Sequence, residues 1–494
     1  MVKKYLFLIF ILINCHLTAS ATFTFNNNCI DAYNAILSLR MTDARTLIQK
    51  EKLLNPKNGI ATLLDNYVDY FSLLASDNKN DYEKLKERKS ARVSLLEDNE
   101  DEKSPYYLFS QAEIYLQWGL LKGKYGDYMS SAFDIKKAKG LLEDNAEKFP
   151  DFLPNVKDLG LINVVFGSIP PNLSGISHFM GMKGNAQTGI KQLQILRTQL
   201  PKTKYSFYND EVIFFLCYID IDLLHNKGNY AQLTGYLSQM ESKSLLRVYL
   251  QGYVAAKTAH NEEAINFLQS APIGAPYVTL PAINYILGNA KLNRMDTDAN
   301  VYLQQYIKDY KGQNYIKDTY SKLAYYYLLQ NDQEKYAYYI KLVRTRGYDI
   351  DQKDKQALRE ANDAKPDLDL LKARFYFDGG YFDKALAEIK NKKQSGLKLL
   401  RDKIELSYRL GRIYERTDKI NDALINYQDA INLGKATSYY YSANAALTMG
   451  HIYEQRKDYK KAISYYQQAV DMKNHEYQAD IDNEAKEGLK RLGQ

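Results

Sequence analysis

The sequence predicts an all-α chain, a solenoid of stacked antiparallel helical hairpins, on three observations. Glycine (26) and proline (11) are scarce in 494 residues, too few for the turns an all-β chain of that length needs. Hydrophobic residues make up 45% and charged residues 25%, near the norm for soluble domains, which excludes a mostly disordered, collagen-like or multi-span membrane chain. A block of small and aromatic residues recurs with fixed internal offsets. Three cysteines are too few for a disulfide scaffold, and tyrosine is over-represented at 44, against 18 phenylalanines and one tryptophan.

Residues 1–21 read as a secretory signal. Lys3 and Lys4 precede the apolar run Tyr5–Ile13, and Ala19-Ser20-Ala21 has the small-x-small form a signal peptidase accepts, so cleavage is expected after Ala21. An apolar run of nine residues is too short to cross a bilayer as an uncleaved anchor. A rival processing site is Leu12-Ile13-Asn14-Cys15. It is similar to a bacterial lipobox, except that Asn14 stands where a small residue belongs, and it would put a lipid on Cys15. The expected location is secreted or periplasmic, with outer-membrane association if Cys15 is lipidated. The apolar stretch Val212–Leu216 is soon followed by Asp220 and Asp222 and is not a span.

The formal net charge is +7, and the signal accounts for two of the lysines. Basic residues alternate with acidic ones, as across Asp351–Glu360, which describes a solvated helix face rather than a nucleic-acid patch. Beyond the leader, Cys29 and Cys217 could pair, but Cys217 lies in an apolar helical run that favours a buried free thiol.

Residues 22–203 form an irregular helical region. Hydrophobic periodicity places helices at Cys29–Leu39, Asp43–Leu54, Ile60–Ala75 and Tyr82–Leu96. The acidic stretch Glu97–Glu102 is an exposed loop, and Leu108–Lys122 pairs with Tyr128–Lys148 across the turn Lys124–Asp127. A double-proline break at Pro170-Pro171 and a glycine-flanked helix start at Gly181–Asn185 follow.

The repeat is clearest within residues 351–494. Leu410-Gly411-x-x-Tyr414 is followed by Ala423, Tyr427 and Ala430, and Met449-Gly450-x-x-Tyr453 by Ala462, Tyr466 and Ala469. The offsets are identical and the copies lie 39 residues apart. The glycine lets a second helix approach closely, while small and aromatic residues at i, i+4 and i+7 make one face of that helix. This is the tetratricopeptide pattern, whose period is about 34 residues. The surplus falls at Thr437–Tyr441, so longer helices are expected there. Weaker copies are Ala373-x-x-Tyr376 with Ala385 and Ile389, and Gly252-x-x-Ala255 with Ala264 and Leu268. Leu287-Gly288 and Asn331-Asp332 indicate hairpins at about 280–310 and 316–345, so 204–350 reads as degenerate repeats of the same kind.

The segments Lys137–Leu142, Phe166-Gly167-x-x-Pro170-Pro171 and Gly181-Met182-Lys183-Gly184-Asn185-x-x-x-Gly189-x-x-x-Leu193 resemble the eukaryotic inclusion-body-clearance family, tetratricopeptide-like proteins of the outer mitochondrial membrane and lipid bodies. Met182 replaces that family's aromatic and Asn185 its acid. The resemblance implies an adaptor and carries no catalytic residues; a secretory signal argues against a shared location.

No catalytic, cofactor or metal motif emerges. His178, His225, His260, His451 and His475 are scattered without metal-ligand spacing. Gly181, Gly184 and Gly189 lack the Gly-Lys-Ser/Thr ending of a phosphate loop, so helix packing accounts for them better. No Gly-x-Ser-x-Gly elbow occurs, and Asp220 and Asp222 face different sides of a helix. Asn172-Leu173-Ser174 is a formal glycosylation sequon.

What remains is surface. In tetratricopeptide proteins the fifth position of each first helix points into a concave groove. That position holds Tyr249, Tyr285, Tyr320 and Tyr408, with Leu370 and Leu447 in two copies; neighbouring groove positions by resemblance are Arg374, Arg412, Arg416 and Asn444. Tyrosine offers a broad apolar face and a hydroxyl at low entropy cost, which suits peptide or glycan recognition. The expected function is a non-catalytic exported scaffold that binds a protein or peptide partner, with no nucleic acid and no metal. The alternatives are a surface-anchored lipoprotein subunit of a polymer-capture or transport complex, and a helical-scaffold enzyme acting on carbohydrate, which would need an acid pair facing one cavity.

Overall fold

The computed structural model describes residues 22–169, 181, 184–224, 226 and 228–494. The leader with Cys15, the Pro170-Pro171 break, the Asn172 sequon, Met182, Lys183, His178 and His225 lie outside the described residues. Every regular element among the described residues is helical.

The backbone divides into two compact units. The first takes the described residues up to Thr258 together with Glu263–Ile286 and Gln305–Gln313. It opens with α1 (Asn27–Leu37), α2 (Met41–Leu54) and α3 (Gly59–Ser76). Side chains of Asn26 and Asn58 cap α1 and α3 by accepting from orphan backbone N–H groups of the first turn. The single helix expected over Tyr82–Leu96 is instead two, α4 (Lys79–Leu85) and α5 (Arg88–Glu97). The break aims Arg88 and Arg92 together at Asp69, at 3.1 and 2.7 Å. Then come α6 (Pro105–Lys124), α7 (Tyr128–Lys148), α8 (Pro154–Gly167), α9 (Ala186–Gln199) and α10 (Asn209–Tyr218), which runs into a π-turn at Ile219–Leu223. The apolar run Val212–Leu216 lies in α10, with Val212, Ile213, Phe215 and Leu216 buried. The unit continues with α11 (Tyr230–Leu237) and α12 (Leu245–Lys257). Its core is aromatic: Tyr33 meets Tyr67 and Tyr208 edge-on at 5.2 Å each, and Phe109 and Trp118 are fully enclosed. Cys29 and Cys217 are buried free thiols, and burial pushes Cys29 up to about 12.

Helices α13 (Asn261–Gln269), α14 (Ala282–Asn293) and α15 (Ala299–Asp309) give residues to both units. The second unit continues with α16 (Ile316–Leu329), α17 (Gln333–Thr345) and α18 (Gln352–Asn362), followed by the hairpins α19 (Leu368–Asp378)/α20 (Phe382–Ile389), α21 (Leu400–Arg416)/α22 (Ile420–Gly434) and α23 (Tyr441–Gln455)/α24 (Tyr459–Asp471), and by α25 (Gln478–Arg491). The helices on either side of the extra residues, α22 and α23, run 15 residues each, longer than the 14 and 13 of α16 and α17 or the 11 and 8 of α19 and α20. The connection Lys435–Tyr440 lies between them, and in it Tyr440 packs edge-on to Tyr408 and Tyr477.

One local geometry recurs. A small residue on the first helix is followed seven positions later by a residue with positive φ that ends the helix, and about sixteen positions later by a large side chain on the second helix. The small residues are Gly119, Gly252, Gly288, Ala324, Ala373, Gly411 and Gly450, and the left-handed residues Gly126, Ala259, Met295, Asn331, Gly380, Asp418 and Lys457. A Cβ built on Gly411 would lie 2.7 Å from the Tyr427 ring, on Gly450 2.5 Å from Tyr466, on Gly252 2.3 Å from Leu268, on Gly288 2.8 Å from Leu303 and on Gly119 2.7 Å from Ile135. Ala385, Ala423, Ala430, Ala462 and Ala469 are fully buried on the facing helices. Tyr414 and Tyr453 are half-buried, and Tyr453 stacks flat on Tyr465 at 5.5 Å.

Candidate functional site

Two of the tyrosines expected in a groove are core residues. Tyr285 is 7% exposed and packs on Tyr306 at 5.2 Å, and Tyr408 is 2% exposed against Tyr427, Tyr440 and Tyr441. Leu370 and Leu447 are buried as well. Each ring is absorbed by aromatic neighbours, Tyr285 by the second helix of its own hairpin and Tyr408 by its own hairpin together with the start of the next. Tyr285→Ala is therefore expected to cost about 3–5 kcal/mol of stability, as for other large aromatic truncations in cores, with Tyr320→Ala costing less; thermal unfolding of the two variants checks the order. Tyr320 is half-buried, 6.4 Å from the Tyr339 ring, and Tyr249 is half-buried and stacked on Tyr253. Asn444 is half-buried, its carbonyl accepting from Thr448 at 2.9 Å. Arg416 is exposed over the Phe382 ring.

Arg374 and Arg412 belong to a cluster that the sequence shows only in part. Five arginines of the second unit gather where α18, α19 and α21 meet the segments leading into α23 and α25. Arg359 is 3.4 Å from Glu476, Arg374 2.8 Å from Glu360, and Arg401 3.0 and 2.7 Å from Asp363 and Asp402; Arg409 donates from Nε to Glu405 at 2.7 Å. Burial alone would raise the Glu360 carboxyl, but the Arg374 guanidinium and the Tyr325 hydroxyl hold it at about 2. Arg412 differs from the other four. It is half-buried, lies 4.2 Å from the Phe377 ring centre and 5.8 Å from that of Tyr408, and has no carboxylate within ion-pair distance among the described residues. A cavity of about 50 Å³ opens beside the cluster, lined by Arg359, Glu360, Arg374, Arg401, Glu405 and Tyr441 among others. Guanidinium groups so arranged fix the positions of acidic groups. Glu405 and Arg409 stand at i, i+4 and could have been read as a pair; nothing in the pattern announces Tyr440 or Tyr477.

The first unit holds a second charged cluster, fully enclosed. Lys157 Nζ on α8 lies 2.6 Å from Glu113 Oε1 on α6, 2.6 Å from Asp158 Oδ1 and 3.0 Å from Glu211 Oε2 on α10. Tyr33 and Tyr67 donate to Glu211 at 2.5 and 3.3 Å, Gln117 donates to Glu113 at 3.0 Å, and the rings of Phe109, Tyr208 and Phe215 surround the ammonium at 5.6–5.9 Å. Burial and the neighbouring Glu113 push the Asp158 carboxyl well up; burial also raises Glu211, partly countered by Lys157. Lys157 itself is driven down by burial but further up by its three carboxylates.

Asp220 and Asp222 take separate partners, as their spacing predicts: Asn229 donates to Asp220 at 3.0 Å and Tyr253 donates to Asp222. Of the three glycines of the apparent phosphate loop, Gly184 and Gly189 serve helix contact, while Gly181 has a positive φ and nothing within 4 Å of an added Cβ. A Cβ on Gly184 would lie 2.4 Å from Gly167 N, and one on Gly189 2.4 Å from Gly160 O. Among the described residues no group of three or more His, Cys, Asp or Glu is placed to hold a metal, and no helix is long and apolar enough to cross a membrane.

Residues 402–475, which contain both clear repeats, match the tetratricopeptide repeat family model. Such repeats are protein-interaction scaffolds. No curated protein sequence matches the chain. Among solved structures, the APC/C hetero-tetramer Cut9-Hcn1 is similar at 11% identity over 94% of this chain and 95% of that one, with a TM-score of 0.26. Yeast Tom70 is similar at 14% identity over 86% and 96%, with a TM-score of 0.24. The fold therefore rests on the recurring hairpin geometry and on the repeat model.

Proposed function

We propose that the chain is an exported, non-catalytic scaffold whose tetratricopeptide block holds a peptide partner by an acidic group bound at Arg412. The observation that carries this reading is the exception within the cluster. Four arginines have carboxylate partners, whereas Arg412 is half-buried over aromatic rings with none among the described residues. A guanidinium partly withdrawn from water gains most from a carboxylate delivered by a ligand, and its planar fork favours bidentate contact. Arg416, exposed four residues on, adds a second positive charge along the same helix face.

The test is fluorescence anisotropy with a fluorescein-labelled peptide of five consecutive glutamates. Wild-type protein is expected to bind it saturably, Arg412→Ala about tenfold or more weakly, and Arg412→Lys in between, with the melting temperature unmoved. Non-saturable binding by the wild type, or unchanged affinity in Arg412→Ala, overturns the reading. Export rests on Lys3-Lys4, the apolar run and Ala19-Ser20-Ala21. Mass spectrometry of the protein from native cells is expected to find Thr22 at the amino terminus. A lipid on Cys15 would instead support the anchored lipoprotein, and a retained Met1 would end the export proposal.

A further inference from the structure

A second binding feature lies in the first unit and does not depend on the Arg412 reading. A cavity of about 230 Å³ opens between α3, α10 and α12. Its walls are mostly apolar, with Phe71, Leu74, Phe214, Leu246 and Leu250 among them, and Tyr249 presents a ring held parallel to Tyr253 at 5.8 Å. The volume falls below the ~300–1,000 Å³ of sites for drug-sized molecules, so the space suits one ring system or one bulky side chain.

Two further observations point to a ligand. The wall is completed by Asp222, which sits on the π-turn Ile219–Leu223, where the Leu224 N–H reaches back five residues to the Ile219 carbonyl at 3.0 Å. A π-turn is rare in proteins and recurs at functional sites, because its extra residue re-aims side chains at a cost in regular hydrogen bonding. Asp222 also keeps an unused acceptor. Its Oδ1 takes the Tyr253 hydroxyl and lies 3.7 Å from Lys257 Nζ, whereas Oδ2 is shielded from solvent and has no hydrogen-bond partner among the described residues. A shielded carboxylate oxygen without a donor is costly, and a ligand donor would relieve that cost.

We propose that this cavity binds a single aromatic ring bearing one N–H or O–H donor, an indole or a phenol, with Asp222 as the acceptor and Tyr249 as the ring's stacking partner. A neutral donor fits better than a full cation, because Lys257 already stands beside Asp222, and Lys124 on the same wall is held by Asp77 at 2.8 Å. An aliphatic chain would leave Oδ2 unsatisfied. The same ring could arrive as a free small molecule or as the tryptophan or tyrosine side chain of a partner.

The experiment is saturation-transfer NMR on the full chain, titrating indole against indene, which has nearly the same shape but no N–H. Indole is expected to bind saturably and at least tenfold more tightly than indene. Asp222→Asn, which turns the free acceptor into a donor, is expected to bring the two affinities within twofold. Ala282→Phe adds a ring to a half-buried wall position and is expected to abolish both signals while the melting temperature holds. The peptide Ala-Trp-Ala separates the sources: binding at least as tight as indole assigns a partner side chain, and loss of binding assigns a free aromatic. Absence of saturable indole binding, equal affinity for indene in the wild type, or indole binding that survives Ala282→Phe overturns the proposal.

Discussion

Lys157→Met is expected to destabilise the first unit by roughly 3–5 kcal/mol, because it removes the one cation from among three buried carboxylates. At 0–2% exposure Glu113, Asp158 and Glu211 have no route to water, so losing the ammonium leaves charge that the interior cannot solvate. The single tryptophan gives the readout. Trp118 is enclosed in the same unit, with Nε1 donating to Asn66 Oδ1 at 2.8 Å, so its emission follows urea unfolding there. A partner experiment separates charge from packing. Adding Glu113→Gln, Asp158→Asn and Glu211→Gln to Lys157→Met is expected to recover much of the loss, since a fully neutral set leaves no ion uncompensated. If the single variant unfolds at the wild-type urea concentration, the cluster contributes no net electrostatic stabilisation.

The same cluster sets a pH dependence. Asp158 and Glu211 both titrate above the ordinary carboxylate range when folded, so over the window between the ordinary and raised values the native state binds protons that the unfolded chain has released. Stability from these groups is therefore complete below the ordinary range and declines as pH rises through the raised values. Lys157, also raised, adds its loss only above the ordinary lysine range near ~10.4. The urea midpoint followed by Trp118 is expected to fall between pH 5 and pH 9, and Asp158→Asn to flatten that fall; a midpoint that climbs over this range contradicts the assignment.

What could be read in advance tracks sequence separation. Gly411 with Tyr427 and Gly450 with Tyr466 are local pairs repeated at one spacing, so the hairpins they build were legible, and Tyr128–Lys148 runs as its pattern predicts because Asp127 caps it. The hairpins headed by Gly119 and Ala324 were legible only by their turns, at Lys124–Asp127 and Asn331-Asp332, and the positive φ at Gly126 and Asn331 shows that they share the same arrangement. The Lys157 cluster was illegible for a different reason. Its members stand on α1, α3, α6, α8 and α10, far apart in sequence, and a Lys-Asp pair by itself reads as solvated surface. Tyr285 and Tyr408 mark the converse failure: helical position told which way each ring points, but not whether other rings already stand there.

A close backbone approach supplies the second large effect. Helices α8 and α9 meet with almost no side chain between them: a Cβ on Gly189 would lie 2.4 Å from the Gly160 carbonyl oxygen, 2.8 Å from Val164 Cγ2 and 2.9 Å from Val164 N. Two of those three atoms are backbone and cannot swing aside, so a methyl group forces the helices apart. Gly189→Ala is expected to cost about 1–3 kcal/mol and Gly189→Leu more, by overpacking. Gly140 on α7 is the internal control, since it is also helical but has nothing within 4 Å of an added Cβ. There the substitution only removes backbone freedom from the unfolded chain, so Gly140→Ala is expected to stabilise by about 0.5–1 kcal/mol. The opposite signs follow from one difference, contact against open space, at two residues that helix propensity alone would rank alike. If both substitutions stabilise, α8 and α9 do not pack as described, and helix contact no longer explains why Gly184 and Gly189 stand in a row that otherwise has the look of a phosphate loop.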